Sequence, residues 1–211
     1  RGKAKSPVYL DINDDTVIIK DAKDIWGKDI EETKELMGDK KAGKMIIGPA
    51  GENLVRYAIV VSQDRAHGRS GMGAVMGSKN LKGIVAKGSK KIELYDADGF
   101  KETIKKWIKM LQGHPATGEF APKYGTSGFL KSLSDHHALS TKNFSLGYYE
   151  DAQMLTGQTL TETRLVKNDG CQSCPIRCAR VVELDGRQIK GPEYEVLCLL
   201  ESNMLINDMD A

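Results

Sequence analysis

The feature that most limits what this chain can fold into is the run Gly68-Arg-Ser-Gly-Met-Gly-Ala-Val-Met-Gly77, in which four of ten residues are glycine. Glycine weakens regular elements, because it loses more backbone freedom on ordering than any other residue. It persists where the backbone must come close to something, either a ligand or a sheet against which a helix packs. Immediately upstream lies Arg65-Ala-His-Gly-Arg69. Two arginines flanking a glycine-permitted turn can grip a phosphate through paired N–H donors while freed backbone amides cradle its other oxygens. The run lacks the Gly-Lys-Ser/Thr ending of a P-loop and the spacing of a dinucleotide fingerprint. By spacing alone, an anion site and a structural turn stand about level.

The surrounding pattern predicts strands first and helices later. Val8-Tyr-Leu-Asp-Ile12 and Thr16-Val-Ile-Ile19 are β-branched and aromatic runs joined by Asn13-Asp14-Asp15, the pattern of a hairpin. A polar helix is expected from Ile30 to Met37. Buried strands are expected at Lys44-Met-Ile-Ile47 and from Leu54 to Ser62, bounded by the glycines of Gly48-Pro-Ala-Gly51. After the glycine run, Ser78-Lys-Asn-Leu-Lys82 leads into a strand at Gly83-Ile-Val-Ala86, and Lys87 to Lys91 marks a domain boundary. From Asp96 the period turns helical, with Phe100, Ile104, Ile108 and Leu111 on one face and Asp98 as the cap. Another helix is expected from Gly125 to Asp135, followed by a polar, partly irregular stretch from Thr141 to Asp169. Arg180-Val-Val-Glu-Leu184 and Arg187-Gln-Ile-Lys190 flank Asp185-Gly186, a two-residue hairpin signal, and a closing helix runs from Glu193 to Leu205. The expected fold class is α+β, a β-rich N-terminal portion (1–87) followed by a mainly helical one (88–211).

Three of the four cysteines fall in Cys171-Gln-Ser-Cys174-Pro-Ile-Arg-Cys178. Thiols so close in sequence pair poorly as disulfides, and one is always left over. A metal site in a reducing, cytoplasmic compartment suits them better. A compact run of three cysteines with a distant fourth is a common way to hold an iron–sulfur cluster. Structural zinc, which prefers separated pairs or Cys/His sets, is the main rival, and His136-His137 lies far upstream. Cys198, in an apolar stretch, is most simply a small buried residue.

Composition excludes several classes. The 31 basic and 29 acidic residues are interleaved and leave a net charge of +2, so no patch of one sign points to nucleic acid or anionic lipid. No apolar run approaches the roughly 20 residues that span a bilayer. Arg1-Gly-Lys-Ala-Lys-Ser has neither an initiator methionine nor a signal segment, and the chain stops at Asp208-Met-Asp-Ala211 just after a helical pattern. Both ends are therefore expected to be cuts within a longer subunit, although processing would explain them equally well.

Four segments in order carry a family resemblance: Gly48-Pro-Ala-Gly-Glu-Asn-Leu-Val-Arg-Tyr-Ala58; Arg65-Ala-His-Gly-Arg69 with Gly-Met-Gly-Ala-Val-Met-Gly-Ser-Lys-Asn-Leu-Lys82; Cys171 to Cys178; and Gly191-Pro-Glu-Tyr-Glu195. From about Val8 onward the chain resembles the aldehyde ferredoxin oxidoreductase family. The resemblance implies a tungsten or molybdenum held by two pterin dithiolenes and a nearby [4Fe–4S] cluster that passes electrons to ferredoxin. It implies that the pterin phosphates and magnesium lie on the β-rich portion, with Arg65, Ala66, Gly68 and Arg69 at the cofactor. Cys171, Cys174 and Cys178 match three cluster ligands, the fourth lying much further along in the family. Glu193 and Glu195 match an acidic segment near the metal and are the expected proton-transfer groups, against the plainer role of a carboxylate favoured at a helix N-terminus. The implied reaction takes a small-molecule aldehyde to a carboxylate, and the 211 residues alone are expected to be inactive. Homo-oligomerisation is left open, and neither nucleic acid nor membrane is an expected partner. A related aromatic acyl-CoA reductase subunit and a zinc-bound or metal-free module are the alternatives.

Overall fold

Turn chemistry sets the first hairpin: Asp14 takes a left-handed conformation (φ 50°), and β1 (Val8–Asn13) pairs antiparallel with β2 (Thr16–Asp21) from Val8↔Asp21 to Asn13↔Thr16. The computed structural model describes residues 2–63 and 65–209, and the chain divides into two units, Arg1–Glu93 and Leu94–Ala211. In the first unit β1 also runs parallel to β6 (Leu81–Lys87), and β6 pairs antiparallel with β3 (Gly43–Ile46). β4 (Val60–Ser62) and β5 (Arg65–His67) complete a six-stranded sheet of order β2-β1-β6-β3-β4-β5, so β5 is an outer edge. Met45 and Ile46 alternate across β3. Ile46 joins Ala22, Ile25, Met37, Ala42 and Val85 in one core, while Met45 packs on Ile47, Val60 and Met76 in another. Three helices serve these layers: α1 (Ile30–Leu36), capped by the Asp29 carboxylate, α2 (Pro49–Glu52) and α3 (Met72–Ser78).

One expected strand is mostly absent. The stretch from Leu54 to Ser62 extends only from Val60; Leu54 sits at φ 59° with its side chain exposed, and Tyr57 is exposed. The short helix α2 uses up Pro49–Glu52, and its exit through Asn53 and Leu54 turns the chain before a strand can begin.

The glycine run forms a turn and a helix. A Cβ on Gly71 would meet the Arg56 carbonyl oxygen at 2.0 Å, one on Gly73 the Ile59 oxygen at 2.5 Å, and one on Gly77 the Gly51 oxygen at 1.9 Å. Helix α3 therefore lies against backbone, and those three glycines are accounted for by packing. Gly68 differs, since a Cβ there would meet nothing within 4 Å. We expect Gly77→Ala to cost about 3 kcal/mol, the upper part of the overpacking range, and Gly68→Ala to stay within about 0.5 kcal/mol; denaturant unfolding of both variants measures the contrast.

In the second unit, Asp96 rather than Asp98 caps α4 (Ala97–Gly113), accepting from the Gly99 N–H at 2.9 Å. A wide π-helical turn, Pro115–Phe120, leads into α5 (Ala121–Tyr124). The expected helix from Gly125 begins as a 3-10 segment, Thr126–Phe129, before α6 (Leu130–Asp135), because Gly125 adopts φ 68° and restarts the chain. The polar stretch contains α7 (Gly157–Thr163), capped by Thr156, and β7 (Leu165–Asp169). β7, β8 (Ala179–Leu184) and β9 (Arg187–Lys190) form an antiparallel sheet, with Asp185 and Gly186 both at positive φ in the predicted hairpin turn. The closing helix changes pitch: α8 (Tyr194–Val196) widens to a π-turn at Leu197–Glu201 and tightens to 3-10 at Ser202–Met204. Its inner residues Leu197 and Cys198 join Leu130, Leu139, Tyr149, Ala152 and Leu155 in the core of this unit. No helix among the described residues is long and apolar enough to cross a membrane.

Candidate functional sites: an arginine-bearing sheet edge and a cysteine loop

Edge position governs the first site. β5 pairs with β4 along one side only, Val60↔His67 to Ser62↔Arg65, so its other side faces outward. Arg65, Ala66, His67, Gly68 and Arg69 are all exposed. The turn falls later than the sequence suggests: Arg65 to His67 is extended, and the left-handed residues are Ser70 (φ 70°) and Gly71 (φ 62°), which lead into α3. One short segment thus carries two arginines, an outer strand and the open flank of Gly68. That set suits a phosphorylated cofactor, because planar guanidiniums pair with phosphate oxygens and a glycine with free space beside it lets the cofactor approach the backbone.

The β7–β8 connection carries the second site. Asp169↔Ala179 is the last register pair, so Gly170 and Cys178 stand at the mouth of the loop. The loop pinches there, since a Cβ on Gly170 would lie 2.9 Å from Arg177 Cα. Within it the Cys174 N–H donates to the Cys171 carbonyl at 3.0 Å, and Ser173 and Arg177 take positive φ, reversing the chain twice. Cys171, Cys174 and Cys178 are unpaired thiols, the first exposed and the others half-buried. Burial is the main effect pushing the Cys178 thiol up, with Glu193 and then Cys174 and Cys171 adding to it. The three sulfurs and Glu193 therefore share one electrostatic neighbourhood.

Among the described residues no group of three or more His, Cys, Asp or Glu is gathered so as to hold one metal ion. Thiolates on a single zinc, at about 2.3 Å from it, would lie within about 4 Å of each other. Cysteines of a [4Fe–4S] cluster each bind a different iron and stand further apart. The loop carries three free thiols, the donor type that both a [4Fe–4S] cluster and a zinc ion take.

The two glutamates part company. Gly191 donates its N–H to the Arg180 carbonyl at 3.0 Å, which lays Gly191-Pro-Glu193 across β8 and brings Glu193 to the cysteine loop. Glu193 is the N-cap residue of α8, but its side chain makes no capping bond. Glu195 is exposed and lines a cavity of about 350 Å³ with Thr126, Phe129, Ser132, Leu133 and Tyr194. Tyr194, which sequence reasoning passed over, has its hydroxyl pKa pushed up to about 12, first by burial and then by Cys198 and Glu195. Cys198 is buried, with its thiol directed at the Glu195 carbonyl at 3.6 Å.

Comparison with known proteins covers almost the whole chain. Residues 1–88 match the family described as aldehyde ferredoxin oxidoreductase, N-terminal domain, and residues 102–211 match aldehyde ferredoxin oxidoreductase, domains 2 and 3. The tungsten-containing aldehyde ferredoxin oxidoreductase of Pyrococcus horikoshii is 44% identical over 99% of this chain, and that of Thermococcus kodakarensis 40% over the same share. The chain spans 35% of the length of each. The active-site complex BamBC of benzoyl coenzyme A reductase with 1,5-dienoyl-CoA contains a chain that superposes with a TM-score of 0.73 at 25% identity, covering 100% of this chain and 34% of its own.

Proposed function

Because the chain belongs to the aldehyde ferredoxin oxidoreductase family, we propose that it supplies the pterin-phosphate edge and the cluster loop of a tungsten- or molybdenum-pterin enzyme oxidising aldehydes to carboxylates with ferredoxin as acceptor. When bound, a dithiolene-held metal would supply two-electron redox chemistry and a [4Fe–4S] cluster a one-electron relay. In this reading Arg65 and Arg69 pair with pterin phosphates, beside magnesium, and Ala66 and Gly68 let the cofactor reach the β5 backbone. Cys171, Cys174 and Cys178 hold three irons. Glu193 and Glu195 move the proton released at the substrate carbon, Glu195 being the one that faces a cavity. The observation that supports the reading is that the two family-matched motifs lie on an exposed sheet edge and on a loop of free thiols. The benzoyl coenzyme A reductase likeness supports a second reading, a tungsten subunit acting on an aromatic acyl-CoA, with the same residues holding the same cofactors.

Arg65→Ala and Gly68→Val should each lower pterin retained through purification about tenfold, the worth of one charge-assisted contact. Arg187→Ala, on exposed β9, should not. Fluorometric pterin analysis of the cofactor-loaded proteins decides it: equal pterin in all three variants removes the assignment of the β5 edge.

A further inference from the structure

Arg180 is the second residue of β8, directly beyond the cysteine loop, and only 3% of its surface is exposed. Burying a guanidinium costs several kcal/mol unless an anion compensates it. Among the described residues its partners are neutral oxygens: Asn168 Oδ1 at 3.2 Å and the carbonyls of Ala121 (3.0 Å), Ala179 (3.2 Å) and Arg177 (3.4 Å). Its Nε–H is buried with no acceptor. Gly125 packs closely on that side, where a Cβ would stand 3.4 Å from Nε and 2.9 Å from the Cys178 carbonyl oxygen. Those bonds tie β8 to β7, to α5 and to the cysteine loop, but none of them offsets the charge itself. An apolar side chain would fill β8 more cheaply, so the charge has an anionic neighbour still to be supplied.

We infer that Arg180 is a positioning residue for electron transfer, a fixed cation set beneath the cysteine loop that raises the reduction potential of the cluster held there. The inference rests on the cluster assignment made above. A thiolate-ligated cluster is anionic and gains one negative charge when it takes up an electron. A neighbouring guanidinium stabilises the reduced state more than the oxidised one, and low-dielectric surroundings enlarge the difference. Guanidinium does not deprotonate in proteins, so the effect persists across the working pH range.

The test is an anaerobic, EPR-monitored redox titration of the cluster-loaded holoprotein. Arg180→Gln is expected to shift the midpoint downward by about 59 mV, a tenfold change in the oxidised-to-reduced ratio at fixed potential. Arg180→Lys, which keeps the charge, should stay close to the unaltered protein. An unmoved midpoint in Arg180→Gln, or equal shifts in both variants, overturns the inference. Should Arg180→Gln fail to assemble, Asn168→Asp serves, because it sets a carboxylate against the guanidinium; a lowered midpoint supports the role and an unchanged one overturns it. Absence of any [4Fe–4S] signal from the unaltered protein would sink the cluster assignment instead, so the two failures are distinguishable.

Discussion

Lys82→Ala should destabilise the first unit by about 3–5 kcal/mol, because it removes one partner of a buried ion pair. The Lys82 side chain is 0% exposed and that of Glu52 3%. Lys82 Nζ also donates to the Lys28 carbonyl at 2.8 Å, and the second Glu52 oxygen accepts from the Gly27 N–H at 2.8 Å. The pair thus ties β6 to α2 and to the loop ahead of α1. Helix α2 in turn presents Gly51 to Gly77 of α3, so this cross-link holds the base of the segment that begins with Arg65. Removing the lysine leaves the buried Glu52 carboxylate without its counter-charge. Replacing both partners by apolar residues of similar volume, Lys82→Met with Glu52→Leu, should recover much of the loss, since the desolvation penalty disappears with the charges. Denaturant unfolding, with hydrogen exchange of the β6 amides to localise the effect, measures both. A single-variant loss below about 1 kcal/mol would show that the pair is relaxed by solvent.

The second large effect concerns the cysteine loop. Cys174→Ser should abolish stable cluster binding, because it removes one of the three loop thiolates and leaves an iron without its protein ligand. Cys198→Ser should leave iron content unchanged, as its thiol is buried in the core of this unit and directed at the Glu195 carbonyl. Iron and acid-labile sulfide analysis, together with the broad visible absorbance, separate the outcomes. Full iron in Cys174→Ser would remove that residue from the ligand set, and lost iron in Cys198→Ser would bring Cys198 into it.

What was legible in the sequence follows from how local the signals are. Asn13-Asp14-Asp15 and Asp185-Gly186 specify turns within a few residues, and both hairpins form, although Asn13 joins β1 and leaves Asp14-Asp15 as the first turn. The cysteine spacing was legible for the same reason, as one loop carries all three. Leu54 to Ser62 was misjudged because its apolar character belongs to a turn leaving α2, and composition alone does not separate a turn with outward apolar groups from a strand. The closing helix was anticipated as one element, but its changes of pitch depend on how Leu197 and Cys198 seat in the core, which periodicity does not encode. Lys82 and Arg180 were missed for a physical reason: charged residues are assigned to the surface by default. The available signal was position, a charge placed within the strand-forming stretches Leu81–Lys87 and Ala179–Leu184, where period alone assigns nothing to it. The role of the glycine run was the hardest to read, since close packing and ligand approach demand the same residue. Only the space around each absent Cβ divides Gly71, Gly73 and Gly77 from Gly68.

The most direct test of the whole is the metal and pterin content of the anaerobically purified holoprotein from cells supplied with tungstate, molybdate, iron and zinc. The expected result is stoichiometric tungsten or molybdenum with pterin, together with about four irons and four sulfides. Zinc on the cysteine loop, with neither pterin nor tungsten nor molybdenum, would contradict it.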